Sequence, residues 1–164
     1  MVQPVSKVKQ SDNKYVIFTM KDEEYGLEVL QVHEIVRIEK IIPVPHAQKY
    51  FLGMMDIRGK VIPIIDLKEK LGLGEGEPMS AERAIIIEVE KRRIGLAVDR
   101  VSSVIQFKAG DIDQGPPAVK SVHTRYIAGI GKAKERFIVL MNLQHLFSGE
   151  ELGELFSRQH LAKV

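Results

Sequence analysis

KYVIFTMKDEEYGLEVLQVHEIV, residues 14–36, lies without a gap over RAIIIEVEKRRIGLAVDRVSSVI, residues 83–105, at an offset of 69. Val16, Ile17 and Phe18 fall on Ile85, Ile86 and Ile87, and Met20 falls on Val89. A charged turn follows in both stretches, Lys21-Asp22-Glu23-Glu24 and Glu90-Lys91-Arg92-Arg93, and then Tyr25-Gly26-Leu27 over Ile94-Gly95-Leu96. Val29 matches Val98, and Val32 matches Val101. Further along, YFLGMMDIRGKVIPIIDLKEKL (residues 50–71) lies over YIAGIGKAKERFIVLMNLQHLF (residues 126–147) at an offset of 76, so Tyr50-x-x-Gly53 meets Tyr126-x-x-Gly129. Two glycines, two Tyr-x-x-Gly pairs and the turn all keep step, which identifies an internal duplication and not a chance likeness of apolar runs. The second copy is seven residues longer in its middle, around residues 108–121.

Each copy reads as β-structure. Residues 14–20 and 83–89 are rich in β-branched side chains, and a charged turn separates each from the next apolar run. In that next run Tyr25, Leu27 and Val29 alternate with Gly26, Glu28 and Leu30, the period-2 pattern of a half-buried strand. Two more strands follow in each copy, split at Arg58-Gly59-Lys60 or Lys134-Glu135-Arg136. About five short strands in a lobe of roughly 60 residues suit a small closed or half-closed barrel, which also hides its sheet edges. The expected organisation is a flexible N-terminus (1–13), a first barrel lobe (14–79), a second (80–147) and a C-terminal helix (148–164), with a Gly/Pro-rich linker at 71–82. Two helix starts have the polar-x-x-Glu form, Asp66 with Glu69 and Ser148 with Glu151. The second opens a helix with Leu152, Leu155 and Phe156 on one face, fit to dock on a barrel.

Composition narrows the function. The 24 Lys and Arg against 22 Asp and Glu leave a net charge of +2, which removes a strong electrostatic case for nucleic acid or an anionic membrane. Zero cysteines rule out disulfides, thiolate metal sites and a cysteine nucleophile. The polar N-terminus lacks the apolar run of a secretory signal, and no apolar stretch approaches the ~20 residues of a membrane helix, so the reading is a soluble cytoplasmic protein.

No catalytic constellation emerges. His33, His46, His123, His145 and His160 share no ligand spacing. Asp111-Ile112-Asp113 opens like a calcium loop, but Pro116 and Val122 stand where the Gly and Glu of that loop belong. The glycines at 72, 74 and 76 neither follow a strand nor open a helix, as a dinucleotide site requires. There is no P-loop and no nucleophile elbow. No metal or cofactor is expected. Without tryptophan, and with Phe18 and Phe137 on strand positions expected to be core, a stacking platform for single-stranded nucleic acid lacks its aromatics.

One pair of residues points elsewhere. Glu34 becomes Ser103 in the second copy, and Arg58 becomes Lys134, so this pair of opposite charges belongs to one copy alone. It reads either as a surface ion pair worth ~0–1 kcal/mol or as a polar fork that orients a protein contact beside apolar neighbours.

Taken in order, residues 25–35 (YGLEVLQVHEI), 42–45 (IPVP), the Gly53 turn, 57–67 (IRGKVIPIIDL) and 94–101 (IGLAVDRV) resemble CheW, the chemotaxis coupling family, over residues 14–156. The resemblance is shared with the regulatory domain of the kinase CheA and with CheV, but the chain has no room for a kinase core or a receiver domain. It implies an all-β fold of two SH3-like five-stranded β-barrel lobes with a hydrophobic seam between them. It also implies a non-catalytic adaptor linking the cytoplasmic helical hairpin of methyl-accepting chemoreceptors to the regulatory domain of the CheA histidine kinase, in the cytoplasm and recruited to membrane-associated arrays. Carried over position by position, the receptor-facing residues are Val29, Val32, Glu34, Arg58, Gly95, Val101 and Val104. Kinase-facing candidates are Ile41, Ile42 and Val44 on the first lobe and Asp113, Pro116 and Val119 in the longer second-lobe loop. The family often has Asn-Leu-Arg-Gly where this chain has Asp56-Ile57-Arg58-Gly59, so Asp56 stands as a rival to Glu34 for Arg58. The alternatives are a small-ligand binder with a site between lobes and a nucleic-acid-binding small barrel.

Overall fold

The computed structural model describes residues 13–73, 81–113, 126–143 and 146–157. The expected mobile N-terminus, the centre of the linker, Pro116 and Val119, His123, His145 and His160 lie outside the described residues. The strands are β1 (Lys14–Met20), β2 (Glu23–Glu28), β3 (Val32–Arg37), β4 (Phe51–Ile57), β5 (Lys60–Asp66), β6 (Arg83–Val89), β7 (Arg92–Val98), β8 (Arg100–Gln106), β9 (Ile112–Asp113), β10 (Ile127–Ala133) and β11 (Arg136–Met141). Among the described residues, the α-helices are α1 (Leu67–Lys70) and α2 (Gly149–Ser157). The apolar run after the first turn is shorter than its alternation suggests: β2 stops at Glu28, and Val29–Gln31 form a 3-10 turn.

The strands make two sheets, ordered β8-β1-β2-β11-β10-β9 and β3-β6-β7-β5-β4. Neither sheet is built from one copy of the duplication. The hairpin β1–β2 of the first copy joins the later strands of the second, and β6–β7 of the second joins β3, β4 and β5 of the first. The lobes expected at 14–79 and 80–147 are therefore interlaced along the chain. Two parallel contacts weld the exchange, Val139 beside Tyr25 and Ile64 beside Gly95. One sheet carries six strands instead of five, the sixth being the two-residue β9. The pairing irregularities recur as well: Ile17/Phe18 of β1 matches Ile86/Ile87 of β6, and Ile127/Gly129 of β10 matches Phe51/Gly53 of β4.

Burial explains why the strands are apolar on both faces. Tyr15, Ile17, Ile138 and Leu140 fill one barrel with Phe107, and Ile62, Ile64, Ala84, Ile86 and Ala97 fill the other with Met55 and Ile57. The opposite faces, among them Phe18, Met20, Tyr25 and Leu27 from one sheet and Ile85, Ile87, Ile94 and Leu96 from the other, merge into a third cluster between the lobes. Strands buried on both faces read as continuous apolar runs, which is why Ala84-Ile85-Ile86-Ile87 shows no alternation. At roughly 1.5–3 kcal/mol for each large apolar side chain fully buried, this seam holds the lobes as one body.

The turns and helix ends follow local chemistry. Lys21 and Asp22, and their matches Glu90 and Lys91, take positive φ values between 51° and 67° in the hairpin turns, matching the strand twist. The Asp66 carboxylate accepts from the Glu69 amide at 3.3 Å and caps α1. At α2, the Glu151 amide donates to Ser148 Oγ at 3.1 Å, and the Ser148 amide donates back to Glu151 Oε1 at 2.9 Å, a reciprocal capping box. Leu152, Leu155 and Phe156 then bury into the seam, as their spacing predicts.

Candidate protein-binding surface

Val32 to Ile35 and their matches Val101 to Val104 lie on β3 and β8, the edge strands of the two sheets. An edge strand keeps one row of backbone groups unpaired and is a natural place for contact with another chain. On each, the inward valine, Val32 or Val101, packs against the seam between the lobes. The outward residues at matched positions, Ile35 and Val104, are exposed, Val104 by 59%. Leu30, in the 3-10 turn leading into β3, is 57% exposed. Each edge thus exposes an apolar side chain and turns a valine onto the cluster between the lobes.

Beside them sits the charged pair. Arg58 occupies the β4–β5 turn with φ 52°, a left-handed conformation uncommon for a side-chain-bearing residue, and Gly59 follows at 89°. The turn is closed by the Gly59 amide donating to Asp56 Oδ1 at 2.7 Å. Asp56 is therefore engaged in shaping the turn, and Arg58 donates to Glu34 instead. Both bonds leave from Nη2, at 2.7 Å to Oε1 and 2.5 Å to Oε2, so the remaining guanidinium donors are not spent on this pair. The Arg58 bond holds the Glu34 carboxyl below the usual range, against a smaller opposing effect of burial, with Arg58, His33 and Arg93 adding attraction. With Arg58 69% exposed, the pair is a fixed polar fork at the surface and a minor contributor to stability.

The remaining candidates divide. Val29 is half-buried in the 3-10 turn. Gly95 is not at the surface. It lies buried in β7, where an added Cβ would stand 2.6 Å from Ile64 Cδ1, so its smallness serves barrel packing. Ile41 and Val44 are half-buried against the cores, while Ile42 is exposed and its backbone pairs with Met54 at 2.7 and 2.8 Å. Asp113 is exposed at the end of β9. Sequence reasoning missed Leu30 and Ile35. The signal for Ile35 was present, since it is the repeat partner of Val104. Phe137, expected in the core, is 67% exposed. Ile138 and Leu140 point into the barrel, which turns Phe137 to the other face, and the seam reaches along β11 only as far as Val139 and Met141.

Among the described residues, no group of three or more His, Asp or Glu side chains is arranged to hold a metal ion, and no helix is long and apolar enough to cross a membrane. What the geometry offers is apolar side chains on two sheet edges and a fixed polar fork beside one of them. The family model described as the CheW-like domain matches residues 14–151. The chain belongs to the CheW-like family. It is 30% identical over 140 residues to the chemotaxis protein CheW of Klebsiella aerogenes, covering 85% of this chain and 84% of that one. It is 31% identical over 142 residues to CheW of Helicobacter pylori, covering 84% and 86%. Among solved structures, the crystal structure of the scaffolding protein TtCheW from Thermoanaerobacter tengcongensis matches with a TM-score of 0.74 and 35% identity over 85% of this chain and 90% of that one. The CheW fold thus accounts for both sheets, and the two exposed edges are features of this chain on that scaffold.

Proposed function

We propose that this CheW-like chain is a non-catalytic chemotaxis adaptor that couples the cytoplasmic helical hairpin of chemoreceptors to the regulatory domain of the CheA histidine kinase, in the cytoplasm at membrane-associated arrays. The observation that carries the reading is the Glu34–Arg58 fork fixed beside the exposed apolar residues of an edge strand, on a chain of this family. An apolar stripe gives a receptor helix its contact area, and an oriented guanidinium with donors to spare sets its register. Val29, Val32, Val101 and Val104 flank the fork on this reading, and Ile41, Ile42, Val44, Asp113, Pro116 and Val119 are the kinase-facing candidates. No bond is made or broken. Such an adaptor alters kinase output only by binding one signalling state of its partners more tightly than another.

The test is binding of the full-length chain to a receptor helical-hairpin fragment and, separately, to the kinase regulatory domain. Arg58→Asp should weaken receptor binding at least tenfold while kinase binding and Tm hold. Unchanged receptor binding would place the receptor elsewhere, and an unfolded variant would make Arg58 structural.

A further inference from the structure

The duplication allows one lobe to be compared with the other inside a single molecule. The acidic helix α2 buries Leu152, Leu155 and Phe156 in the cluster between the lobes, and its polar contacts tie it to the lobe of β3 to β7. The Arg92 guanidinium stands 4.7 Å from the centre of the Phe156 ring, and Lys70 Nζ lies 3.1 Å from Glu151. Val61 of β5 is half-buried against the same cluster. Two of these positions have a match at the surface of the other lobe, Glu23 for Arg92 and Phe137 for Val61. There the matched residues border an open hollow of about 430 Å³, with Ile130 and Arg136 completing its wall. Phe137 on its border is the most exposed of the large apolar side chains described.

We propose that this hollow is a docking site for a basic amphipathic helix of a partner protein, which would lie on this lobe as α2 lies on the other. The helical form follows from the matched lobe. The charge follows from the rim. Helix α2 brings Glu150, Glu151 and Glu154 to a surface carrying Lys70 and Arg92. The hollow inverts that arrangement, with Asp22, Glu23 and Glu24 on its rim; among the described lining residues the one cation is Arg136, which is already bound to Glu24 at 2.7 and 2.9 Å. An apolar floor with an acidic rim selects leucine or phenylalanine flanked by lysine or arginine. The site is separate from the β3 and β8 edges and does not depend on their assignment.

The probe is a helically stapled peptide of residues 147–157 in which Glu150, Glu151 and Glu154 are replaced by lysine. It is titrated into the isotope-labelled full-length chain and followed by amide chemical shifts. The expected result is shifts centred on Glu23, Ile130, Phe137 and Val139, with at least tenfold weaker binding by the unaltered acidic peptide. Phe137→Ser should weaken binding at least tenfold with Tm unchanged, and Phe137→Leu should retain it. Asp22→Lys tests the charge independently and should also weaken binding. Shifts centred on α2 or on β3 and β8, equal binding by the acidic peptide, or indifference to Phe137→Ser would overturn the proposal. So would self-association of the chain that Phe137→Ser abolishes, since the occupant would then be a second copy.

Discussion

Lys68 Nζ lies 3.0 Å from Asp99 Oδ1 with only 4% of the lysine side chain exposed, while Oδ2 of the same aspartate accepts the Lys21 amide at 3.0 Å. One carboxylate therefore joins α1, the end of β7 and the β1–β2 turn, three pieces drawn from both sheets. Removing one partner of a buried ion pair leaves the other charge uncompensated, and the cost is greatest where the stranded charge is most buried. Asp99→Ala strands Lys68, 4% exposed, and should cost about 3 kcal/mol in chemical denaturation. Lys68→Met should cost less, because Asp99 is 21% exposed and still accepts the Lys21 amide. Equal losses would show that the ion pair itself, and not the stranded charge, carries the energy.

The glycines rank by what an added methyl would meet. At Gly53, with φ 140°, the Cβ would stand 2.2 Å from the Ile42 carbonyl oxygen, a backbone atom that cannot yield. At Gly95 the nearest atom is the movable Ile64 Cδ1, and at Gly26 it is Leu140 Cδ2 at 3.0 Å. Alanine should therefore destabilise most at Gly53 and least at Gly26, with Gly95 between them at about 1–3 kcal/mol. Ile64→Val, which removes the offending methyl, should recover part of the Gly95→Ala loss in a double-mutant cycle.

Acid should weaken the fold. The Arg136 bond holds Glu24 below the usual carboxylate range, and the Arg58 bond does the same for Glu34. Glu151 is pushed up by burial, but the Ser148 amide, Lys70 and Tyr50 outweigh that and hold it low. A carboxyl lowered in the folded state contributes stability at neutral pH that fades as pH falls below about 4.3 and through the folded value. Asp66, raised by burial, has the opposite sign: its contribution is present in acid and lost as pH climbs through its folded value. Three against one predicts a falling Tm below about pH 4.3. The partners of Glu24 and Glu34 are exposed, Arg136 by 46% and Arg58 by 69%, so salt screens those pairs, whereas Lys70 beside Glu151 is 9% exposed; Glu151→Gln should therefore flatten that fall more than Glu34→Gln does.

The fork should behave as an orienting device. Glu34→Ala and Arg58→Ala should each leave Tm within about 2 °C of the parent, because an exposed pair adds little to stability. On the adaptor reading, Glu34→Arg combined with Arg58→Glu keeps the ion pair but reverses the charge offered to a partner. Receptor binding should then stay weak. If the double variant binds like the parent, the pair serves only to hold the turn.

Much of this fold is legible in the sequence because the duplication repeats at residue level, down to Gly26 with Gly95 and the two turns. The interlacing of the sheets is not. The hairpins 14–28 and 83–98 carry the same apolar pattern, so either can complete either sheet, and periodicity cannot distinguish pairing within a copy from pairing across copies. The misplacement of Phe137 has a related cause: alternation fixes which face a side chain takes but not how far the covering seam extends. Arg58 had two eligible carboxylates, Asp56 two residues before it and Glu34 24 residues before it, and the turn geometry that occupies Asp56 becomes visible only in three dimensions.

The interlaced order of strands also sets a timetable for synthesis. When residue 73 leaves the ribosome, neither sheet has all its members. The sheet containing β3, β4 and β5 waits for β7 to end at Val98, and the one begun by β1 and β2 waits for β11 to end at Met141. The nascent first half must therefore hold its apolar strands uncovered until the second half arrives, the interval in which a growing chain is most exposed to wrong partners.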